Sequence, residues 1–146
     1  CEPACRRGRI EEEPVAICRL KRVAADYKGD IAARMPEMPK QKNGKRVALI
    51  GAGPSSMTVA RDLAPLGYDL VIFDGETKTG GMIRTQIPKF RLPETVLDEE
   101  VGYIVDLQPE LRLGKRVDSM KAILAEGYEA IFVGCDQLGA LGSPCW

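Results

Sequence analysis

Two glycines and one acid carry the most specific chemistry in this chain. Gly51-Ala52-Gly53-Pro54-Ser55-Ser56 follows the apolar run Arg46-Val-Ala-Leu-Ile50, and Asp74 closes a second run, Val71-Ile-Phe73, twenty-three residues after Gly51. Gly51 permits a tight turn, and Gly53 removes the side chain that would keep a pyrophosphate away from the backbone. A helix starting there offers N–H groups and a positive dipole end to phosphates. Ser56 stands where a third glycine is usual and is small enough for helix and strand to pack closely. Asp74 can accept hydrogen bonds from a ribose diol and would repel a 2′-phosphate. With both strands, the helix and the acid in register, the pattern predicts a dinucleotide pocket; a lone glycine motif would be weak.

The other reactive side chains narrow the chemistry. The 146 residues contain no histidine, which excludes His-based triads and His-ligated zinc and weakens any reading built on general acid–base work near neutral pH. No side chain is therefore assigned a catalytic role, and the reactive chemistry falls to a cofactor. Five cysteines without obvious pairing suggest metal ligation in a reducing compartment, the cytoplasm, more than disulfides. A second segment, Gly80-Gly81-Met82-Ile83-Arg84-Thr85-Gln86-Ile87-Pro88-Lys89-Phe90-Arg91-Leu92-Pro93, pairs glycines that let main chain approach a flat ring or pyrophosphate with arginines that can neutralise phosphate. A basic surface loop is the equal alternative on chemistry alone.

Strand–helix alternation must position these groups. The pattern predicts strands at 46–51, 69–74 and 129–134, a short edge strand at 111–113, and helices at 55–66, 93–107 and from Asp118 to about 126. Residues 75–93 form a long loop. That order favours an α/β, Rossmann-like parallel sheet covered on both faces. Upstream, Ile17, Leu20, Val23, Ala24 and Tyr27 fall at helical spacing after Pro14, and a turn-rich connector through Pro36, Pro39 and Asn43-Gly44 leads to a boundary near residue 45. Residues 1–45 thus read as a short cysteine-bearing helical piece with a linker, and 46–146 as the dinucleotide domain.

Formal charge balances at 21 basic against 21 acidic residues, yet residues 1–46 hold 12 Lys and Arg against 7 Asp and Glu, and the remainder 9 against 14. The basic end suits an acidic partner protein or nucleotide phosphates. Nucleic-acid binding is disfavoured because basic residues are not interleaved with exposed aromatics. No apolar run is long enough to cross a bilayer. The chain opens on Cys1 in place of Met, so a processed or partial chain is expected.

Together, Gly51-Ala-Gly53-Pro-Ser55-Ser56, Phe73-Asp74, Gly80-Gly81-Met82 and Ile87-Pro-Lys-Phe-Arg91-Leu-Pro93 resemble the FAD-binding half of the glutamate synthase small-subunit family. That family includes the flavin and iron–sulfur segment of dihydropyrimidine dehydrogenase and the flavoprotein subunit of electron-bifurcating ferredoxin:NADP oxidoreductase. The resemblance implies FAD in this domain, NAD(P)H in a second inserted nucleotide domain, and electron transfer through [4Fe-4S] clusters. Gly51, Gly53, Pro54, Ser55 and Ser56 would then face the FAD pyrophosphate and Asp74 the adenosine ribose. Gly80, Gly81, Met82, Arg84, Ile87 and Arg91 would lie along the flavin and its phosphates. Other subunits or domains of an iron–sulfur oxidoreductase, and a ferredoxin acceptor, are the implied partners.

By the same resemblance, Cys1-Glu-Pro-Ala-Cys5 matches the last two cysteines of a two-cluster domain, each serving a different cluster whose other ligands lie upstream. Two cysteines cannot complete a cubane; a disulfide, half a zinc site or free thiols are the alternatives. Lys21 stands where several relatives have a Gln or Glu ligand. Cys18 is either its substitute or part of a buried face. Cys135 ends a strand and is expected to be structural. The tail Cys135–Trp146 departs from the glycine-rich turn that relatives place there, so the hydride donor's site is not expected within this chain. Two further functions fit the same residues: an NAD-binding module of a dehydrogenase, which Asp74 permits, and a non-catalytic docking subunit of a larger oxidoreductase.

Overall fold

The computed structural model describes residues 2–134; Cys1, Cys135 and the atypical tail lie outside the described residues. The chain divides into two compact units between Met35 and Pro36.

In the first unit, short 3-10 turns at Glu2–Ala4 and Arg7–Arg9 precede helix α1 (Ile17–Asp26), and a third turn spans Ala32–Arg34. The expected helix forms, beginning three residues after Pro14 with no side-chain cap at Ala16. No described residue of α1 is buried; Leu20, Val23 and Tyr27, which form its apolar stripe, are exposed.

The second unit is the α/β domain. Strands β1 (Arg46–Ile50), β2 (Asp69–Phe73), β3 (Glu110–Arg112) and β4 (Ala130–Val133) form one sheet in the order β3-β2-β1-β4. All three pairings are parallel, with Ile50 level with both Phe73 and Val133. Helices α2 (Pro54–Leu63), α3 (Met82–Gln86), α4 (Glu94–Val105) and α5 (Met120–Ala125) occupy the connections. Both central strands are buried along nearly their whole length, as parallel strands covered on two faces must be. Alternate residues serve opposite cores, as the pleat dictates. Val47, Leu49, Leu70 and Ile72 pack with Met57, Ala60, Ala64 and Leu107. Ala48, Ile50, Val71 and Phe73 pack with Val117, Ile123 and Tyr128.

The residues before β1 are tied to this sheet. Asn43 N–H donates to Gly67 O (2.9 Å), Asp69 N–H to Lys45 O (2.9 Å), and Lys42 pairs with Asp69.

Three local features differ from expectation. The loop at 75–93 contains α3, whose five residues are too few to display a period. Helix α5 is capped by Ser119, whose Oγ accepts from Ala122 N–H (3.3 Å), one residue after the expected Asp118. Strand β4 is half-exposed instead of buried, because it takes a position at the sheet edge among the described residues.

Candidate functional site

The site begins where β1 ends. Gly51 takes φ +98°, left-handed backbone that a side chain would resist, while its N–H donates to Phe73 O at 2.7 Å. Gly53 is the extended N-cap of α2, and Met57 N–H donates to its carbonyl at 3.0 Å. Pro54 fills the first helical position, where its missing N–H costs nothing. The N–H groups of Ser55 and Ser56 precede that first intrahelical bond and belong to the set a helix leaves for a ligand.

Asp74 is integral to the turn. One carboxylate oxygen accepts Ala52 N–H at 2.5 Å and the other accepts Glu76 N–H at 2.8 Å. Each oxygen keeps a further lone pair that can accept from another donor. The acid is thus first a brace between the two strand ends.

The two glycine segments come together. Gly80 N–H donates to Ala52 O at 2.8 Å. Gly81, at φ +54°, lies so close to the turn that a Cβ on it would stand 2.8 Å from Gly53 Cα. Met82 opens α3 directly behind it. Along the same segment, Ile87 and Phe90 are exposed, and the Arg91 guanidinium sits over the Phe90 ring at 5.9 Å.

Arg84 is not drawn out toward the turn. Its side chain is 13% exposed; Nε donates to Thr79 O (2.7 Å), one terminal nitrogen to Glu94 (3.1 Å) and the other to Asp98 (2.6 Å). Glu94 and Asp98 are one turn apart on α4 and neutralise it there. Lys78 (3.0 Å) and Lys89 (3.2 Å) also reach Glu94, and hydrogen bonds from Lys78 and then Lys89 hold its carboxyl down to about 2. Sequence reasoning missed Glu94 and Asp98; an acidic i,i+4 pair facing a basic loop was the signal.

Behind the turn, Ser56 is fully buried and its Oγ has no hydrogen-bond partner among the described residues. Gly134, at the end of β4, packs against it. A Cβ on Gly134 would lie 2.3 Å from Ser56 Oγ and 2.8 Å from Phe132 Cε1. Ser55 Oγ donates to Gly134 O at 3.4 Å.

In the first unit Cys5 is partly covered, and its Sγ accepts Val15 N–H at 3.5 Å. That bond, and next the one from Gly8, lowers the thiol pKa. Cys18 is exposed, which removes the buried-face reading of it. Among the described residues no group of three or more Cys, Asp or Glu side chains could hold a metal ion. No helix among them is long and apolar enough to cross a membrane.

A parallel sheet whose central strand turns through Gly51–Gly53 into a helix defines a Rossmann-like dinucleotide-binding domain. Residues 49–113 match the family described as the NAD(P)-binding Rossmann-like domain. Beyond that domain, the chain is homologous to oxidoreductase subunits. It is 35% identical to the NAD-dependent dihydropyrimidine dehydrogenase subunit PreT of Salmonella typhimurium, over 99% of this chain and 35% of that protein. It is 35% identical to the NADP(+)-dependent formate dehydrogenase subunit beta of Moorella thermoacetica, over 91% of this chain and 22% of that one. With the glutamate synthase [NADPH] small chain of Mycobacterium tuberculosis it shares 32% identity, over 80% and 28%. The family likeness carried by the motifs therefore stands, and the chain spans about a third of the first relative's length. The 6-hydroxypseudooxynicotine amine oxidase of Pseudomonas geniculata superposes with a TM-score of 0.53 at 22% identity, over 68% of this chain and 15% of that one, a likeness of fold.

Proposed function

We propose that the sheet unit is the FAD-binding segment of an NAD(P)H-linked iron–sulfur flavoprotein, working within a larger protein or complex. The observation that carries this reading is the contact of Gly81 with Gly53. A domain that held only NAD would need the glycine turn and the acid. Here a second backbone segment without side chains is laid beside the turn, lengthening the surface toward a flat ring.

The residues present fit that group. Ser55 and Ser56 N–H and the start of α2 would hold the diphosphate, and Asp74 would accept from the ribose. Arg91, exposed and stacked on Phe90, would supply charge along the loop, with Met82 and Ile87 as apolar lining. Arg84 would act through the loop it braces. Bound there, FAD would exchange hydride with NAD(P)H held by another domain and single electrons with [4Fe-4S] clusters. The chain's own part is to bind, orient and stabilise negative charge, with no side chain required as acid or base.

Residues 1–45 are, on this reading, the end of an iron–sulfur domain plus linker. Cys1, Cys5 and Cys18 are its ligand candidates, completed from elsewhere. The N–H groups around Cys5 favour a thiolate, the form that ligates iron. Partner subunits, a ferredoxin acceptor and a cytoplasmic location belong to the same proposal.

The test is direct. The full chain incubated with FAD is expected to turn yellow and to release FAD on denaturation; a colourless, flavin-free protein overturns the reading. The description of the matched family favours a second reading, an NAD-binding module. Tight NADH binding without FAD uptake in parallel titrations would select it.

A further inference from the structure

We propose that Glu94 is a positioning residue for the dinucleotide crevice, holding the Gly80–Gly81 loop against the glycine turn through Arg84. The inference rests on the reading of that crevice as the FAD site.

Glu94 heads α4 and gathers three cations from one segment. Its Oε1 accepts from Lys78 (3.0 Å) and Arg84 (3.1 Å), and its Oε2 from Lys89 (3.2 Å). These partners come from before, within and after α3, so one carboxylate fastens both limbs of the loop to the helix that follows. The chain of contacts then runs inward. Arg84 Nε donates to Thr79 O at 2.7 Å. The same side chain lies beside Gly80, where a Cβ would stand 3.3 Å from Arg84 Nε and 3.4 Å from Leu97 Cδ2. Gly80 N–H reaches Ala52 O at 2.8 Å, within the turn itself. Asp98 anchors the other terminal nitrogen of Arg84 at 2.6 Å.

An exposed ion pair is worth little, and this cluster differs in one respect. The arginine at its centre is only 13% exposed, and its bond to Thr79 ends on backbone adjoining the turn. Glu94→Gln leaves one uncharged oxygen for three cations, a largely covered guanidinium among them, a situation that favours release of the loop. A crevice whose second wall is docked for only a tenth of the time binds about tenfold more weakly.

The experiment compares the full chain with its Glu94→Gln, Glu94→Asp and Arg84→Lys variants. It follows amide hydrogen exchange at Gly80 and along β1 and β2, together with FAD affinity by fluorescence quenching. Expected for Glu94→Gln and Arg84→Lys is faster exchange at Gly80 with unchanged exchange in the strands, and FAD affinity lowered about tenfold. Glu94→Asp, which keeps the charge, recovers part of both. Gly80 exchange that stays at the wild-type rate in both variants overturns the proposal, as does strand exchange that rises in step with it. Wild-type protein that takes up no FAD sinks the flavin reading instead, while the exchange measurement still decides the role of Glu94.

Discussion

A β-carbon built on Gly81 would stand 2.8 Å from the α-carbon of Gly53. Two glycines separated by twenty-seven residues therefore meet backbone to backbone, an approach that requires Gly81 to carry no side chain. The position is also strained for any other residue, at φ +54° and ψ −137°.

Gly81→Ala is accordingly expected to cost about 1–3 kcal/mol from backbone strain, beyond the clash. The loop responds by lifting from the turn, so FAD affinity falls while β1 and β2 stay protected from hydrogen exchange. Wild-type FAD affinity in this variant would contradict the close approach.

The buried hydroxyl of Ser56 yields a paired prediction. An unsatisfied buried polar group costs about 1–3 kcal/mol, so Ser56→Ala is expected to raise stability in urea unfolding. Gly134→Ala is expected to lower it by about 1–3 kcal/mol through overpacking. Because the new methyl would meet Ser56 Oγ at 2.3 Å, the loss is partly recovered in a Ser56→Gly background. Strictly additive effects in the double variant would mean that the two do not touch.

Asp74→Asn leaves one oxygen for two backbone N–H groups, those of Ala52 and Glu76. One donor loses its acceptor, at about 1–3 kcal/mol. Thermal unfolding is expected at lower temperature even without ligand, and FAD titration is expected to show weaker binding. An unchanged melting temperature would remove Asp74 from the turn's support.

Acid should loosen the loop in a defined window. The Glu94 carboxyl lies at about 2 in the folded chain, below its usual value of 4.5, chiefly through hydrogen bonds from Lys78 and Lys89. Its contribution is full above the unfolded value and is lost as pH falls through the folded one. Loop exchange, corrected for its intrinsic pH dependence, is expected to rise between about pH 4.5 and 2. Glu94→Gln should flatten that rise.

Cys5 is expected to alkylate at lower pH than an ordinary thiol, since Val15 and Gly8 N–H favour its thiolate. Peptide-resolved mass spectrometry across a pH series checks this.

The sheet and the turn were legible because each follows from a strong local rule. Continuous apolar runs marked β1 and β2, and Gly51, Gly53 and Asp74 marked the junction between them. Other features needed three dimensions. Arg84 looked available for phosphate because its acceptors, Glu94 and Asp98, lie ten and fourteen residues away. Helix α3 was too short to show a period, and two adjacent residues, Asp118 and Ser119, both suit a cap. An apolar run such as Ala130–Val133 does not reveal whether its strand sits at the centre or the rim of a sheet. In the first unit the helical spacing of α1 was readable, but spacing does not say what covers a stripe.

The double duty proposed for Asp74, which braces the turn, bears on redesign. Because the same carboxylate fastens the turn, an engineer wishing to swap nucleotide preference cannot simply exchange the acid for a neutral or basic group. Selectivity would have to be rewritten around it, at Gly75 or at Arg116, whose β-carbon lies 3.8 Å from where Gly75 would carry one. On the proposed reading, recognition and folding would meet at this one carboxylate, and a change of preference would have to leave it in place.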